Sequence, residues 1–124
     1  MPTILLFTEI YSLCNNTKIR KIKNQDLDFV YKSICELENE ILDFETFKDI
    51  FIENISNQNN VYLIAENENE SLGFISFHTQ KLLHHCGIVG EIQEFFIDKT
   101  HRGKGVGRKL IDEIIKYSEQ NNLK

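Results

Sequence analysis

Four segments of the chain alternate polar and apolar side chains or hold short apolar runs bounded by polar residues, and such patterns predict β-strands. The predicted strands are residues 17–23, 61–66, 72–81 and 88–97. The polar turn at residues 67–71 is short enough to join the second and third strands as a hairpin. Three of the four predicted strands therefore follow one another directly in the second half of the chain.

Three other segments carry apolar side chains at helical spacing, which predicts amphipathic helices. Their apolar stripes are Leu27, Val30, Ile34 and Leu37; Phe44, Phe47, Phe51 and Ile55; and Val106, Leu110, Ile111, Ile114 and Ile115. Asp26 and Asp43 stand where an acidic N-cap residue would begin the first two helices. The predicted order is strand, helix, helix, strand, strand, strand, helix, which is a single small α/β domain.

The loop between the last predicted strand and the last helix is rich in glycine and in basic residues. Its glycines are Gly103, Gly105 and Gly107, and they allow the backbone to come close to a ligand. A helix N-terminus presents unpaired N–H groups and the positive end of the helix dipole, so we expect the loop to bind an anion such as phosphate. No Ser or Thr follows a Gly-Lys pair, which excludes a P-loop, and Arg108 occupies the third glycine position of a dinucleotide fingerprint.

The charge of the chain is unevenly distributed. The formal net charge of −5 argues against general binding of nucleic acid. Residues 26–53 carry nine acidic side chains against two lysines, whereas residues 99–109 carry five basic side chains and no acidic one. The basic residues are Lys99, Arg102, Lys104, Arg108 and Lys109. A local basic cluster on an acidic protein suits a polyphosphate ligand.

The three cysteines, Cys14, Cys35 and Cys86, are scattered along the chain, and none forms a C-x-x-C pair. This pattern argues against a disulfide framework or a zinc knuckle and favours a reducing, cytoplasmic compartment. The apolar run at residues 4–7 lacks a basic flank and is far too short to span a bilayer. We therefore expect no membrane partner.

The sequence Arg102-x-x-Gly105-x-Gly107, which follows Phe95-Phe96-Ile97, resembles the coenzyme A pyrophosphate loop of the GNAT N-acetyltransferase superfamily. Residues 34–47 and 71–94 are similar to the aminoalkylphosphonate N-acetyltransferase branch. The resemblance covers residues 17–124 and implies the GNAT fold, a mixed sheet with helices on both faces in the order β-α-α-β-β-β-α. It also implies that the family's C-terminal strand, helix and hairpin are missing, and that residues 1–16 are an extension of unknown role.

The same resemblance implies transfer of an acetyl group from acetyl-CoA to the primary amine of a small aminoalkylphosphonate or similar amine, by direct attack in a ternary complex. It assigns coenzyme A to the backbone of Phe95, Phe96, Ile97, Arg102, Gly103, Lys104, Gly105, Val106, Gly107 and Arg108. An alkylammonium is almost fully protonated at pH 7, so a base is useful. Glu91 and Glu94 are the candidate bases, with Glu91 first because GNAT enzymes of the histone-acetylating type carry a catalytic glutamate at this point. Strand parity places at least one of the two on a solvent face.

His78, His84 and His85 are predicted to lie together at a turn before the last strand, where they would bind the phosphonate, a divalent metal or neither. Two alternatives to the small-amine acetyltransferase stay open. One is an acetyltransferase of a peptide or protein amine, and the other is a truncated, inactive domain that at most binds coenzyme A. A homodimer that rebuilds the missing wall of the coenzyme A site also stays open.

Overall fold

A computed structural model describes residues 16–123, in which strands and helices follow the predicted order. The strands are β1 (Lys18–Lys21), β2 (Asn60–Asn67), β3 (Glu70–Leu82) and β4 (Gly87–Ile97), and the helices are α1 (Leu27–Glu38), α2 (Phe44–Ser56) and α3 (Val106–Gln120). The predicted extension is residues 1–16, and residues 1–15 of it, which include Cys14, lie outside the described residues. Over residues 16–123, no helix is long and apolar enough to cross a membrane.

The described strands form one sheet in the order β1-β2-β3-β4, and every neighbouring pair is antiparallel. The family resemblance implied a mixed sheet, and the part of it that residues 16–123 form is antiparallel throughout. Strands β2, β3 and β4 pair antiparallel because short connections join them in turn. Strand β1 also pairs antiparallel with β2, although α1 and α2 separate the two strands in the chain. The β2–β3 turn is only Glu68 and Asn69, both at positive φ (49° and 70°), as a two-residue hairpin turn requires.

Helix α3 covers one face of the sheet. Its buried residues Val106, Leu110 and Ile114 pack on sheet residues that include Ala65 and Ile75. The predicted apolar stripe included Ile115, but this side chain is 49% exposed and does not belong to the buried face of the helix. Residues 106, 110 and 114 follow one line along the helix at a spacing of four, and position 115 lies beside that line.

Helices α1 and α2 cover the opposite face, so the prediction of helices on both faces is confirmed. Val30 and Phe51 pack there on Ile64, Phe74 and Phe96. The outer ends of both predicted stripes are wrong, since Leu37 and Phe44 are exposed. These residues lie near the α1–α2 connection, Leu37 beside the last residue of α1 and Phe44 at the first residue of α2.

The two predicted helix caps differ in what their carboxylates do. Asp43 accepts a hydrogen bond from the Thr46 N–H at 2.9 Å and caps α2 as predicted. Asp26 stands at the N-cap position of α1 but makes no side-chain hydrogen bond to that helix. It accepts instead from the Lys23 N–H at 2.8 Å and from Arg20, so it anchors the chain where β1 ends.

Candidate active site

Strand β4 is an edge strand among the described strands, and half of its backbone groups face away from the sheet. The Asp98 N–H donates to the Leu72 carbonyl at 2.8 Å, so by antiparallel alternation the N–H groups of Phe95 and Ile97 face outward. The Ile97 carbonyl also faces outward, where it accepts from Arg102 Nε at 2.9 Å. Such an edge can hold an extended chain that carries amide groups.

A β-bulge in β4 determines where the two candidate bases lie. Phe77 pairs with Ile92 but Ser76 pairs with Glu94, so among the described strands Gln93 has no cross-strand partner. Without the bulge, Glu91 and Glu94 would face opposite sides of the sheet, as strand parity predicted. With it, they stand opposite His78 and Ser76 on the face covered by α1 and α2.

Glu94 lies at a small, mostly apolar cavity between this face and the two helices. The cavity has a volume of about 110 Å³. Its walls are Val30, Ile34, Phe47, Ile50, Phe51, Asn54, Tyr62, Phe74 and Glu94. The Ser76 hydroxyl donates to the Glu94 carboxylate and accepts from the Glu94 N–H at 3.0 Å. A fixed carboxylate at the end of an apolar cavity suits the amine end of a small ligand.

Glu91 is exposed and lies at a second cavity on the same face. This cavity has a volume of about 180 Å³ and is lined by His78, Gln80, Val89, Glu91 and Gln93. Its walls are polar, whereas those of the Glu94 cavity are mostly apolar. Of the two candidate bases, Glu94 therefore has the more enclosed position.

Tyr62 lies between the two cavities and was missed in the sequence. Its hydroxyl contacts His78 Nε2 at 3.0 Å and accepts from Asn54 Nδ2 at 3.1 Å. Ser76 is its cross-strand partner on β3. Burial, with the nearby Glu94 charge, raises the pKa of the Tyr62 phenol. No local pattern marks this group, since its members come from three separate elements.

The three predicted histidines do not lie together. His78 is within β3, whereas His84 and His85 belong to the exposed single-turn helix Leu83–His85, with ring centroids 4.3 Å apart. Strand β3 continues for four residues after His78, which corresponds to about 13 Å. Among residues 16–123, no group of three or more His, Cys, Asp or Glu side chains is placed to hold a metal ion.

The predicted anion loop brings the start of α3 against the outer edge of β4. Gly103 and Gly105 adopt positive φ values of 77° and 86°, which glycine tolerates. The Lys109 N–H bonds to the Gly105 carbonyl at 3.2 Å, so the N–H groups of residues 106–108 have no partner within the described helix. A Cβ on Gly107 would lie 3.1 Å from Phe95 Cζ, so this glycine allows the helix to approach the strand.

The basic side chains around the loop contact other protein groups. Arg102 lies 5.7 Å from the centre of the Phe96 ring while it donates to Ile97, and Lys104 donates to the Thr100 carbonyl at 2.7 Å. The other three contacts are Lys99 with Glu36, Arg108 with Asp112, and Lys109 with the Thr17 carbonyl. The Lys99 and Arg108 contacts are exposed ion pairs, which contribute less than about 1 kcal/mol, so these two cations can exchange their partners for a polyphosphate.

An open strand edge beside a free helix N-terminus, with a carboxylate on the neighbouring face, is the arrangement expected of a coenzyme-A-dependent acyltransferase. The profile of the Acetyltransferase (GNAT) family matches residues 26–124, and the chain belongs to this family. The resemblance to the GNAT superfamily found in the sequence is therefore confirmed, and an aminoalkylphosphonate N-acetyltransferase is among the relatives to which the chain is similar.

Individual relatives agree with this assignment. The chain is 38% identical to an aminoalkylphosphonate N-acetyltransferase of Salmonella typhimurium over 94 residues, which cover 76% of this chain and 61% of that relative. A possible acetyltransferase from Clostridium difficile 630 has a similar structure, with a TM-score of 0.75, 20% identity, and coverage of 87% and 75% of the two chains. A predicted acetyltransferase with acetyl-CoA from Clostridium acetobutylicum gives a TM-score of 0.71, 18% identity, and coverage of 87% and 77%. These two structures support the fold.

Proposed function

We propose that this protein transfers the acetyl group of acetyl-CoA to the primary amine of a small aminoalkylphosphonate or a similar amine, by direct attack. The observation that carries the proposal is the contact between the start of α3 and the outer edge of β4, which joins an anion site to an amide-binding edge. Membership of the family and the 38% identical relative support the reaction and the acceptor class.

Coenzyme A binds in two parts in this proposal. Its pyrophosphate accepts hydrogen bonds from the N–H groups of residues 106–108, where the helix dipole favours negative charge. Its pantetheine arm lies along β4 and uses the outward backbone groups of Phe95 and Ile97. Gly107 allows the pyrophosphate site at the start of α3 to lie next to the pantetheine site on β4, because a larger residue would push α3 away from Phe95.

Glu94 is the proposed base for the acceptor amine. An alkylammonium has a pKa of about 10.4, so only about 0.1% of it is the neutral nucleophile at pH 7. Glu94 accepts the proton in its cavity, and the amine nitrogen then attacks the thioester carbonyl. The outward N–H of Phe95 stabilises the negative charge that forms on the carbonyl oxygen. Coenzyme A leaves as the thiolate and takes up the second proton of the amine nitrogen, so the products are the amide and the thiol.

The acidic end of an aminoalkylphosphonate is proposed to occupy the second cavity, on the same face. His78 and Gln80 supply hydrogen-bond donors there. Ser76 and His78 are two residues apart on β3, which separates the two ends of the acceptor by about 7 Å. His84 and His85 lie at the end of β3 and are not needed in this arrangement.

The first test is binding of acetyl-CoA to the chain, measured by calorimetry. We expect binding that is lost in Gly105→Glu, which places bulk and negative charge at the start of α3. Gln58→Glu is the matched control, because it adds the same carboxylate at an exposed position between α2 and β2. A folded chain that does not bind acetyl-CoA would contradict the proposal, and so would equal binding by the Gly105→Glu variant.

The second test compares acetyl transfer to a short aminoalkylphosphonate and to the matching alkylamine without the phosphonate. Glu94→Gln should lower kcat about 10²- to 10⁴-fold, since it removes the base but keeps the shape of the side chain. Glu91→Gln, at the exposed position, is the control and should change kcat much less. A larger loss in Glu91→Gln would restore the order that the sequence predicted, and equal rates for both amines would remove the phosphonate from the proposal.

A further inference from the structure

The two ring nitrogens of His78 have different environments. Nε2 contacts the hydroxyl of Tyr62 at 3.0 Å, and the centroids of the two rings are 5.6 Å apart. Nδ1 has no hydrogen-bond partner within residues 16–123. His78 also lines the second cavity, which the proposed function fills with the acidic end of the acceptor. One ring nitrogen is therefore held by the protein, while the other is left for a ligand.

The hydrogen bonds at Tyr62 determine which nitrogen of His78 carries the proton. A phenol has one proton to donate and an oxygen that accepts. Asn54 Nδ2 donates to the Tyr62 oxygen at 3.1 Å, and an amide nitrogen acts only as a donor. His78 Nε2 is the acceptor that the structure places against the phenol proton. When Nε2 accepts, a neutral imidazole has its own proton on Nδ1.

We propose that Asn54 and Tyr62 hold His78 in the tautomer with its proton on Nδ1, so that this N–H donates to the acidic end of the acceptor in the second cavity. The inference rests on the proposed function, because it takes the acceptor and its placement from there. Asn54 and Tyr62 are positioning residues, since they act on the acidic end through His78. Together the three side chains give the site a preference for aminoalkylphosphonates over plain alkylamines.

The charges around the second cavity make the tautomer of His78 important. Glu91 stands opposite His78 on β4 and lines the same cavity, and no Lys or Arg of the described chain lines it. A carboxylate repels the anionic end of the acceptor, so binding there depends on donors that point at the ligand. His78 Nδ1–H and the Gln80 amide are such donors. In the other tautomer, Nδ1 would present a lone pair to the anion and add a second repulsive contact.

Nitrogen NMR of the His78 ring tests the tautomer without ligand or turnover. In the unmodified protein, at a pH where the ring is neutral, we expect the proton on Nδ1. Tyr62→Phe removes the hydroxyl that occupies Nε2, so the ring should become a mixture of both tautomers. Asn54→Asp keeps the shape of the side chain but replaces the donor by a carboxylate, which accepts the phenol proton. The Tyr62 oxygen then accepts from His78, so in this variant the ring proton should move to Nε2.

Kinetics with two acceptors test what the tautomer does for binding. KM is compared for a short aminoalkylphosphonate and for the matching alkylamine without the phosphonate. Tyr62→Phe should raise KM for the phosphonate about 3- to 10-fold, because the freed ring still adopts the binding tautomer part of the time. KM for the alkylamine, and kcat for both acceptors, should stay nearly unchanged. Tyr117→Phe is the matched control and should keep all four values, because Tyr117 packs against Phe77 on the α3 face.

Two variants of His78 distinguish its nitrogens in the same assay. The amide of an asparagine reaches about as far as Nδ1 of a histidine, and the amide of a glutamine reaches about as far as Nε2. His78→Asn can therefore still donate to the acidic end and should keep much of the preference for the phosphonate. His78→Gln should lose this preference, with KM for the phosphonate raised about 10- to 100-fold, the value of a hydrogen bond to a charged group.

The outcomes separate this inference from the proposed function. An unmodified chain that prefers the phosphonate, with the same preference in Tyr62→Phe, overturns the inference alone. A neutral His78 ring with its proton on Nε2 in the unmodified protein also overturns it alone. Equal KM values for the two acceptors in the unmodified protein remove the phosphonate from the proposed function, and the inference with it. A chain that acetylates no amine overturns both.

Discussion

Gly73→Ala tests whether the position of β4 controls the site. Gly73 lies on β3 opposite Ile97, and an ideal Cβ there would stand 2.5 Å from the Phe96 carbonyl oxygen and 2.6 Å from Ile97 Cδ1. Ordinary contacts of a Cβ begin at 3.4 Å, so the β4 backbone must move by about 0.9 Å. The carbonyl cannot rotate away as a side chain would, because it belongs to the β3–β4 ladder.

The expected loss of stability follows from two opposing terms. Overpacking of a well-filled core costs about 1 to 3 kcal/mol. Removing the backbone freedom of glycine recovers about 0.5 to 1 kcal/mol. We therefore expect a net loss of about 1 to 2 kcal/mol in the free energy of unfolding, which lowers Tm by about 4 to 8 °C for a domain of this length. Urea unfolding and a thermal scan measure both quantities.

The affinity for acetyl-CoA tests the position of β4 more directly than the stability does. Movement of Phe96 and Ile97 displaces the outward backbone groups that are proposed to hold the pantetheine arm, and misplacement by about 1 Å can cost up to about 100-fold in rate. We expect acetyl-CoA to bind about 10-fold more weakly to Gly73→Ala at a temperature where the variant is folded.

Gly90→Ala is the matched control for this change. Its Cβ would lie 2.0 Å from Phe77 Cζ, a larger overlap, but with a side chain and at the other end of β4. This variant should be destabilised and still bind acetyl-CoA with nearly normal affinity. Normal stability and affinity in Gly73→Ala would refute the reasoning, as would an equal loss of affinity in Gly90→Ala.

Two further predictions concern charged residues. Burial alone would raise the pKa of Asp26, but hydrogen bonds from Arg20 and a backbone N–H hold it below its usual value of 3.8. Asp26→Asn should therefore lower the free energy of unfolding by about 1 to 2 kcal/mol at pH 7, since Arg20 is partly exposed and keeps its pair with Glu66. This difference should shrink as the pH falls below 3.8 toward the lower folded pKa, whereas the exposed Asp28→Asn should change little in the same urea titrations. Arg102→Lys should weaken acetyl-CoA binding by about tenfold in calorimetry, as much as Arg102→Ala does. The reason is that Arg102 Nε donates a hydrogen bond to the Ile97 carbonyl and so holds this backbone group in position. Full affinity in Arg102→Lys would mean that charge alone matters.

Features that depend on near neighbours in the chain were predictable. The order of strands and helices, the cap at Asp43 and the glycine loop before α3 all agree with the structure. Each rests on residues within a few positions of one another, so hydrophobic period and capping chemistry are sufficient. The family resemblance depended on the same local loop and is confirmed.

Features that depend on the pairing of strands were not predictable. Glu91 and Glu94 share a face because β4 contains a bulge at Gln93, and nothing in the local sequence marks it. Asp26 meets Arg20 and thereby the end of β1, although its position in the sequence suggested only a helix cap. The three histidines appeared to form one cluster because their separation along β3 is invisible until the strand length is known.

The sequence by itself thus determined the elements and the loop that begins α3, since short-range periodicity and turn chemistry specify them, while the placement of helices on both faces of the sheet followed from the family resemblance. The tertiary structure alone decided which carboxylate is enclosed and which side chains join it. Ser76 and Glu94 lie on neighbouring strands, as do Tyr62 and His78, and only the register of the sheet brings each pair within hydrogen-bonding distance. Register depends on the packing of both faces and on the bulge together, and so it is a property of the folded chain.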